Sequence, residues 1–279
     1  MINDRIELTV DNHIAHVRLA RPEKMNALDV KMFEAITMVG EQLKSDRSVR
    51  VVVLSGDGGN FCAGLDKSNF TSILEKAGSS KSSEPESSDS DNLVTNLAKR
   101  THGIANAPQY AAWMWRELPM PVIAAVQGVA LGGGLQIALG ADFRYGSADS
   151  RYSILELKWG IVPDMSSTQI MRHLVRDDVI RELTYTAKIF TAEQAKEWGF
   201  ITDIVADPLA HAMQTAADIV AKNPHAIRSA KRIIDQSYYL DQAQGLLMES
   251  EEQDQIMGQP NQIEAVMATL QGREPNFKD

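Results

Sequence analysis

Residues Gly128 to Asp142 read GVALGGGLQIALGAD. Ahead of them stands PVIAAVQG (Pro121 to Gly128), a run of β-branched and small apolar residues that reads as a buried strand. Behind the glycines, Leu135, Ile137, Ala138 and Ala141 read as a buried helix. Gly132, Gly133 and Gly134 form the joint. A glycine run there lets the backbone adopt angles closed to other residues and lets a ligand approach closely. It also leaves unpaired N–H groups at the first helical turn, where the dipole favours negative charge. Such a joint is suited to holding a developing oxyanion. Taken alone, the three glycines are better read as a tight strand-to-helix turn packed on a neighbour.

Two further stretches bear on that choice. Val51 to Asp66, VVVLSGDGGNFCAGLD, runs from a strand into a glycine-rich loop, and Glu156 to Gln169 reads ELKWGIVPDMSSTQ. Working outward, Ile6 to Val10 and Ile14 to Leu19 alternate around Asp11-Asn12 and predict an antiparallel hairpin. Asp29 is placed to cap a helix over Val30 to Lys44, whose apolar face is Met32, Phe33, Ile36, Val39, Gly40 and Leu43. The order β-β-α-β predicts an α/β sheet wrapped by crossover helices.

Residues 75–90 are rich in Ser and charge and predict a mobile insertion. Leu93 to Leu118 regains helical spacing and carries Trp113 and Trp115, either core aromatics or the border of an apolar pocket. A strand at Ala141 to Tyr145, a short apolar strand around Glu156, and helices over Ser166 to Leu174 and Asp178 to Lys188 follow. Thr191 with Gln194 opens a helix that Gly199 ends, and Ile201 to Val205 reads as a last strand. From Pro208 onward the pattern is helical. Residues 1–200 are therefore read as a core and 201–279 as an α-helical C-terminal region.

The 279 residues are 44% hydrophobic and 23% charged, enough for a large core. A net charge of −9 argues against nucleic-acid binding. The single Cys62 excludes an internal disulfide and suits a reducing compartment. Cys62 is expected to be a small packed side chain rather than a nucleophile, since no His stands near it in sequence to activate it. The N-terminal stretch lacks a signal-peptide core and no apolar run reaches membrane-spanning length, so a cytoplasmic protein with no membrane partner is expected. The six histidines lack a ligand spacing, and the glycine runs satisfy neither a Rossmann nor a P-loop pattern, so no metal and no nucleotide redox cofactor is expected.

RPEKMNALD (Arg21 to Asp29), FCAGLD (Phe61 to Asp66), GVALGGGLQIALGADFR (Gly128 to Arg144), GIVPDMSSTQ (Gly160 to Gln169) and REPNFKD (Arg273 to Asp279) stand in an order and spacing that resemble the crotonase, or enoyl-CoA hydratase/isomerase, superfamily. The resemblance spans essentially the whole chain. It implies a spiral of ββα units followed by an α-helical region that packs in a homotrimer or a dimer of trimers. It also implies an unsaturated acyl-CoA substrate, with coenzyme A as part of the substrate and no separate cofactor.

By the same resemblance, the backbone N–H groups of Leu65 and Gly133 would hold a thioester enolate oxygen. Ala63, Gly64, Asp66 and Gly132 would line the substrate site, with Lys24, Arg273 and Lys278 as candidate phosphate partners. Asp66 also reads as a helix cap. Hydratases of the family carry two glutamates; here the first position is Gln136 and the second is Glu156. Glutamine can orient water but cannot take a proton at neutral pH. Asp164 follows, as in the dienoyl-CoA isomerase branch, although a cap for the helix near Ser166 is its plainer role. Double-bond isomerisation by Glu156 and Asp164 is therefore the leading expectation. Hydration by Glu156 alone, thioester hydrolysis, C–C cleavage and non-catalytic acyl-CoA binding are its competitors.

Overall fold

The computed structural model describes residues 1–67 and 97–279. The insertion expected at 75–90 lies outside them. Strands β1 (Ile6–Asp11) and β2 (Ile14–Leu19) form the antiparallel hairpin. It turns on Asn12 and His13, both at positive φ, as a tight hairpin turn requires. Every later addition to this sheet is parallel: β3 (Val51–Gly56), β4 (Val122–Val126), β6 (Phe143–Gly146) and β9 (Asp203–Ile204). The spatial order is β1-β2-β3-β4-β6-β9. A second sheet joins β5 (Val129–Leu131), β7 (Arg151–Ser153) and β8 (Phe190–Thr191) in the order β5-β7-β8.

Parallel neighbours need crossovers, and helices supply them. Helix α1 (Val30–Ser45) links β2 to β3, α2 (Ala107–Glu117) precedes β4, and α3 (Gly133–Gly140) leads to β6. The sheet is covered on both faces, which explains the unbroken apolar run at β3. Val52 and Leu54 point to one side, into the main core with Met32, Ile36 and Leu43 of α1 and Trp115 of α2. Val51 and Val53 point to the other, onto Ala212 and Ala216 of α7 (Pro208–Val220).

Local signals placed several boundaries well. Asp29 accepts from the Met32 N–H at 2.9 Å and caps α1. Thr191 and Gln194 form a capping box at α6 (Ala192–Trp198), which ends on Gly199 in the left-handed region. Other expectations need correction. The helix expected over Leu93 to Leu118 occupies only Ala107–Glu117 among the described residues, because Asn106 and Gln109 form a capping box and Pro108 sits in the first turn. The helix expected over Ser166 to Leu174 is the short α4 (Ser167–Met171), and Ser166 stands at φ +74. Glu156 is not in a strand; it opens a 3-10 turn, Glu156–Trp159, that Gly160 ends at φ +72.

Helix α5 (Asp177–Thr186) lies between α4 and β8. Beyond α7 run α8 (Pro224–Gln236), α9 (Gln242–Ile256) and α10 (Pro260–Gln271). Buried Lys231 ties α8 to the core, reaching Asp142 at 2.8 Å and the Met120 carbonyl at 3.1 Å. Among the described residues no helix is long and apolar enough to cross a membrane.

Candidate active site

A chain of backbone hydrogen bonds brings the two glycine-rich stretches together. The Cys62 N–H donates to the Val129 carbonyl at 2.9 Å, and the Leu131 N–H donates to the Cys62 carbonyl at 3.0 Å. On its other side, the loop is pinned to Leu28: the Leu28 N–H donates to Gly64 at 2.8 Å, and the Asp66 N–H donates to Leu28 at 3.0 Å. In such a parallel bridge, the N–H of the residue between faces away from the partner strand. The Leu65 N–H therefore faces away from Leu28. Among the described residues neither it nor the Gly133 N–H donates to a protein acceptor. Gly133 is the first residue of α3, where helical donors are unpaired.

Glycine is required at this junction by contact as well as by angle. A Cβ on Gly134 would lie 2.2 Å from the Cys62 carbonyl oxygen. One on Gly64, at φ +84, would lie 2.5 Å from the Leu131 carbonyl oxygen and 3.4 Å from the Gly133 nitrogen. Asn26, fully buried, clamps the loop further by donating to the carbonyls of Asp57 and Asn60 at 3.0 and 2.8 Å. Cys62 is fully buried, its thiol donating to the Asn26 carbonyl, and burial pushes its pKa up to about 12. It is a packed side chain, as its sequence context suggested.

These loops wall a cavity of about 510 Å³. Leu65, Gly133, Gly132, Glu156 and Asp164 line it together. Glu156 is 5% exposed. Its Oε1 accepts from the Gln136 side-chain amide at 2.6 Å, while its Oε2 is buried with no hydrogen-bond partner. Burial raises the Glu156 pKa, the Gln136 hydrogen bond opposes this, and the nearby Asp164 charge adds to the rise. Burial raises the Asp164 pKa too. Two carboxyl groups with raised pKa values on one cavity mark a site able to hold and release protons.

Gln136 sits behind Glu156 rather than on the cavity wall, and is 2% exposed. Its Oε1 accepts from the backbone N–H groups of Met165 at 2.9 Å and Ser167 at 3.3 Å. Those donors fix which end of the amide faces Glu156. Asp164 makes no side-chain cap at α4, whose N-cap is Ser166 without a side-chain bond.

Of the other sequence candidates, Lys24, Ala63, Gly64 and Asp66 line the cavity. The Ala63 N–H is already given to the Met25 carbonyl at 2.9 Å, so its carbonyl is the atom available for recognition. Asp66 accepts from Arg21 at 2.6 Å and stands directly before the helical Lys67, the last described residue of that stretch. Arg273 and Lys278 are not brought to the cavity within one chain. Arg273 is held by both oxygens of Glu264 at 2.6 and 2.9 Å. The Lys278 backbone is tied to the Asn261 side chain. Trp115 is fully buried in the core, whereas Trp113 lines a smaller neighbouring cavity.

Sequence reasoning missed the clamp at Asn26, although RPEKMNALD carried it, and the backbone donors of Met165 and Ser167. A backbone donor has no side-chain signal to read.

A profile of the enoyl-CoA hydratase/isomerase family matches residues 9–99 and 94–279. The chain belongs to the enoyl-CoA hydratase/isomerase family. It is 32% identical to the enoyl-CoA hydratase/isomerase YngF of Bacillus subtilis, covering 99% of both chains. It is 28% identical to a peroxisomal Delta(3,5)-Delta(2,4)-dienoyl-CoA isomerase of Arabidopsis thaliana, over 98% of this chain and 95% of that one. It is also 28% identical to the mitochondrial methylglutaconyl-CoA hydratase of Mus musculus, over 91% of this chain and 76% of that one. The crystal structure of an enoyl-CoA hydratase from Bacillus anthracis superposes with a TM-score of 0.83 at 27% identity, covering 98% and 99% of the two chains. The crotonase-like α/β fold expected from the sequence is thus the fold of this enoyl-CoA hydratase/isomerase family member.

Proposed function

We propose that the protein is an enoyl-CoA isomerase that moves a double bond along an acyl-CoA chain, with Glu156 as base and Asp164 as the acid that returns a proton. The carrying observation is the Gln136–Glu156 pair. The first glutamate of a two-glutamate hydratase is replaced by an amide that donates to Glu156 and can accept no proton. Glu156 Oε2 takes a proton from the carbon next to the thioester carbonyl. The electron pair moves onto the carbonyl oxygen, held by the Leu65 and Gly133 N–H groups; one such donor elsewhere contributes roughly 3–4 kcal/mol. The enolate collapses as the chain is protonated further along by Asp164, and the double bond has moved. A proton passing from Glu156 to Asp164, directly or through water, restores both.

Lys24 at the cavity rim and the Ala63 carbonyl are assigned to the coenzyme A portion. Exposed Leu246, Leu247, Ile263, Val266 and Leu270 on α9 and α10 support assembly as a homotrimer or dimer of trimers. Arg273 and Lys278 would then serve a neighbouring subunit's site.

Hydration by Glu156 alone is the second reading, favoured by relatives named as hydratases. The test is NMR of 3-enoyl-, 3,5-dienoyl- and 2-enoyl-CoA with the protein in D₂O. Double-bond migration with deuterium incorporation and no hydroxyl product supports isomerisation. A 3-hydroxyacyl product as the main species overturns it.

A further inference from the structure

Beside the cavity that holds Glu156 lies a second one, of about 180 Å³. Asp164 lines both, so it stands at the junction between them. An acyl chain with its carbonyl at Leu65 and Gly133 that ran past Glu156 and on beyond Asp164 would enter this second space, since Asp164 lines both. Its walls are unlike those of a hydrocarbon pocket. Ile104, Trp113 and Pro163 are apolar, but Gln109, Thr168 and Gln169 are polar, and Arg100 brings a full positive charge.

Arg100 is held in place by oxygens that carry no charge. Its Nε donates to the Ala98 carbonyl at 3.2 Å, and one Nη2 N–H donates to Leu97 at 2.5 Å. Its Nη1 donates to the Ile104 carbonyl at 3.2 Å and to Gln109 Oε1 at 2.8 Å. A guanidinium has five N–H donors, so among the described residues one on Nη2 is left over. No carboxylate among the described residues forms an ion pair with Arg100. The Asp164 carboxyl lines the same cavity, and burial raises its pKa.

An arginine fixed by carbonyls, keeping its charge and one donor, is prepared for an anion. A long alkyl tail gives this wall nothing in return for stripping its water. A carboxylate would gain a charge-assisted hydrogen bond.

We propose that the acyl group this site accepts is short and ends in a carboxylate, which pairs with Arg100 in the second cavity. The proposal rests on the acyl-CoA reading above, and it adds the substrate class. Arg100 is a specificity residue and takes no part in proton transfer.

The test uses saturated thioesters, which cannot react, so it does not depend on which reaction the enzyme performs. Calorimetry compares a short acyl-CoA ending in a carboxylate with its terminal carboxamide, on the wild-type protein and on Arg100→Gln and Arg100→Lys. The carboxylate ligand is expected to bind at least about tenfold more tightly than the carboxamide, as a charged contact does over a neutral one. Arg100→Gln removes that preference, while carboxamide affinity holds and reports an intact fold; Arg100→Lys keeps part of the preference. Equal affinity for the two ligands in the wild type overturns the proposal, as does a preference that survives in Arg100→Gln. Either result leaves the acyl-CoA reading standing. Failure of every thioester to bind overturns both.

Discussion

The Gln136 amide nitrogen donates to Glu156 Oε1 at 2.6 Å, and the other end of the same amide is pinned by the N–H groups of Met165 and Ser167. The amide cannot turn over without leaving those two donors unpaired in a buried place, at about 1–3 kcal/mol each. Gln136 therefore holds one oxygen of Glu156, while the other is buried with no hydrogen-bond partner.

Glu156→Gln removes the only group here assigned to abstract the proton. Deuterium exchange at the acyl chain, followed by NMR, should fall by about 10²–10⁴-fold. The circular dichroism spectrum should be unchanged. Undiminished exchange would remove Glu156 from the mechanism.

Gln136→Glu keeps the acceptor for Met165 and Ser167 but sets a second carboxyl against Glu156. Two buried carboxyls in contact cannot both ionise at neutral pH, so the pair should share a proton. The acid limb of activity should move to higher pH than in wild type, and a 3-hydroxyacyl product should appear from 2-enoyl-CoA. An unmoved limb with no new product would show that the amide does not govern the reaction.

Burial raises the Glu156 pKa in the folded state. Between the unfolded value and the raised folded value, the native protein keeps a proton that the unfolded chain has released. Stability from this group is therefore full below the unfolded pKa and is lost as pH rises through the folded one. Activity runs the opposite way, because the base must be ionised. A kcat/KM profile should show its acid limb above the ordinary carboxylate range, and Glu156→Gln should lack that part of the stability slope in urea titrations taken at a series of pH values.

Gly134 lies inside α3, where alanine would ordinarily favour the helix by about 1 kcal/mol. A Cβ there would meet the Cys62 carbonyl oxygen at 2.2 Å, which is backbone and cannot swing aside. Overpacking decides the sign, and Gly134→Ala should destabilise by at least about 1–3 kcal/mol in urea unfolding. It should also lower kcat, since Cys62 and Leu131 join the two glycine-rich loops that line the cavity. A variant as stable as wild type would mean that the junction yields.

Lys24 lines the cavity beside Glu23 and Met25. Lys24→Glu should weaken coenzyme A binding, measured by calorimetry, by about tenfold at low salt and less at high salt. Unchanged affinity would leave the phosphates to other cations.

The sheet was legible because its signals are local. Val51 to Leu54 reads as a buried strand, and Asp29, Thr191 and Gly199 mark their helix ends with their own chemistry. Glu156 misled: Leu155 and Leu157 beside it suggest alternation, but the chain turns there, and the reason lies in Gly160, four residues on. At the site, the resemblance marked Gln136 as an amide at the position of a hydratase glutamate, yet only the folded chain shows what that amide holds. The Arg100 cavity was not legible at all, since residues from α2, from the turns before it and from the loop before α4 meet there only in space.

Glutamine and glutamate codons differ by a single base. Met165 and Ser167 present N–H donors that the oxygen of an amide or of a carboxylate can accept, so both residue types leave these donors satisfied. The number of acids at this site is thus one mutational step from its neighbour state, and the backbone donors behind position 136 find an acceptor in either.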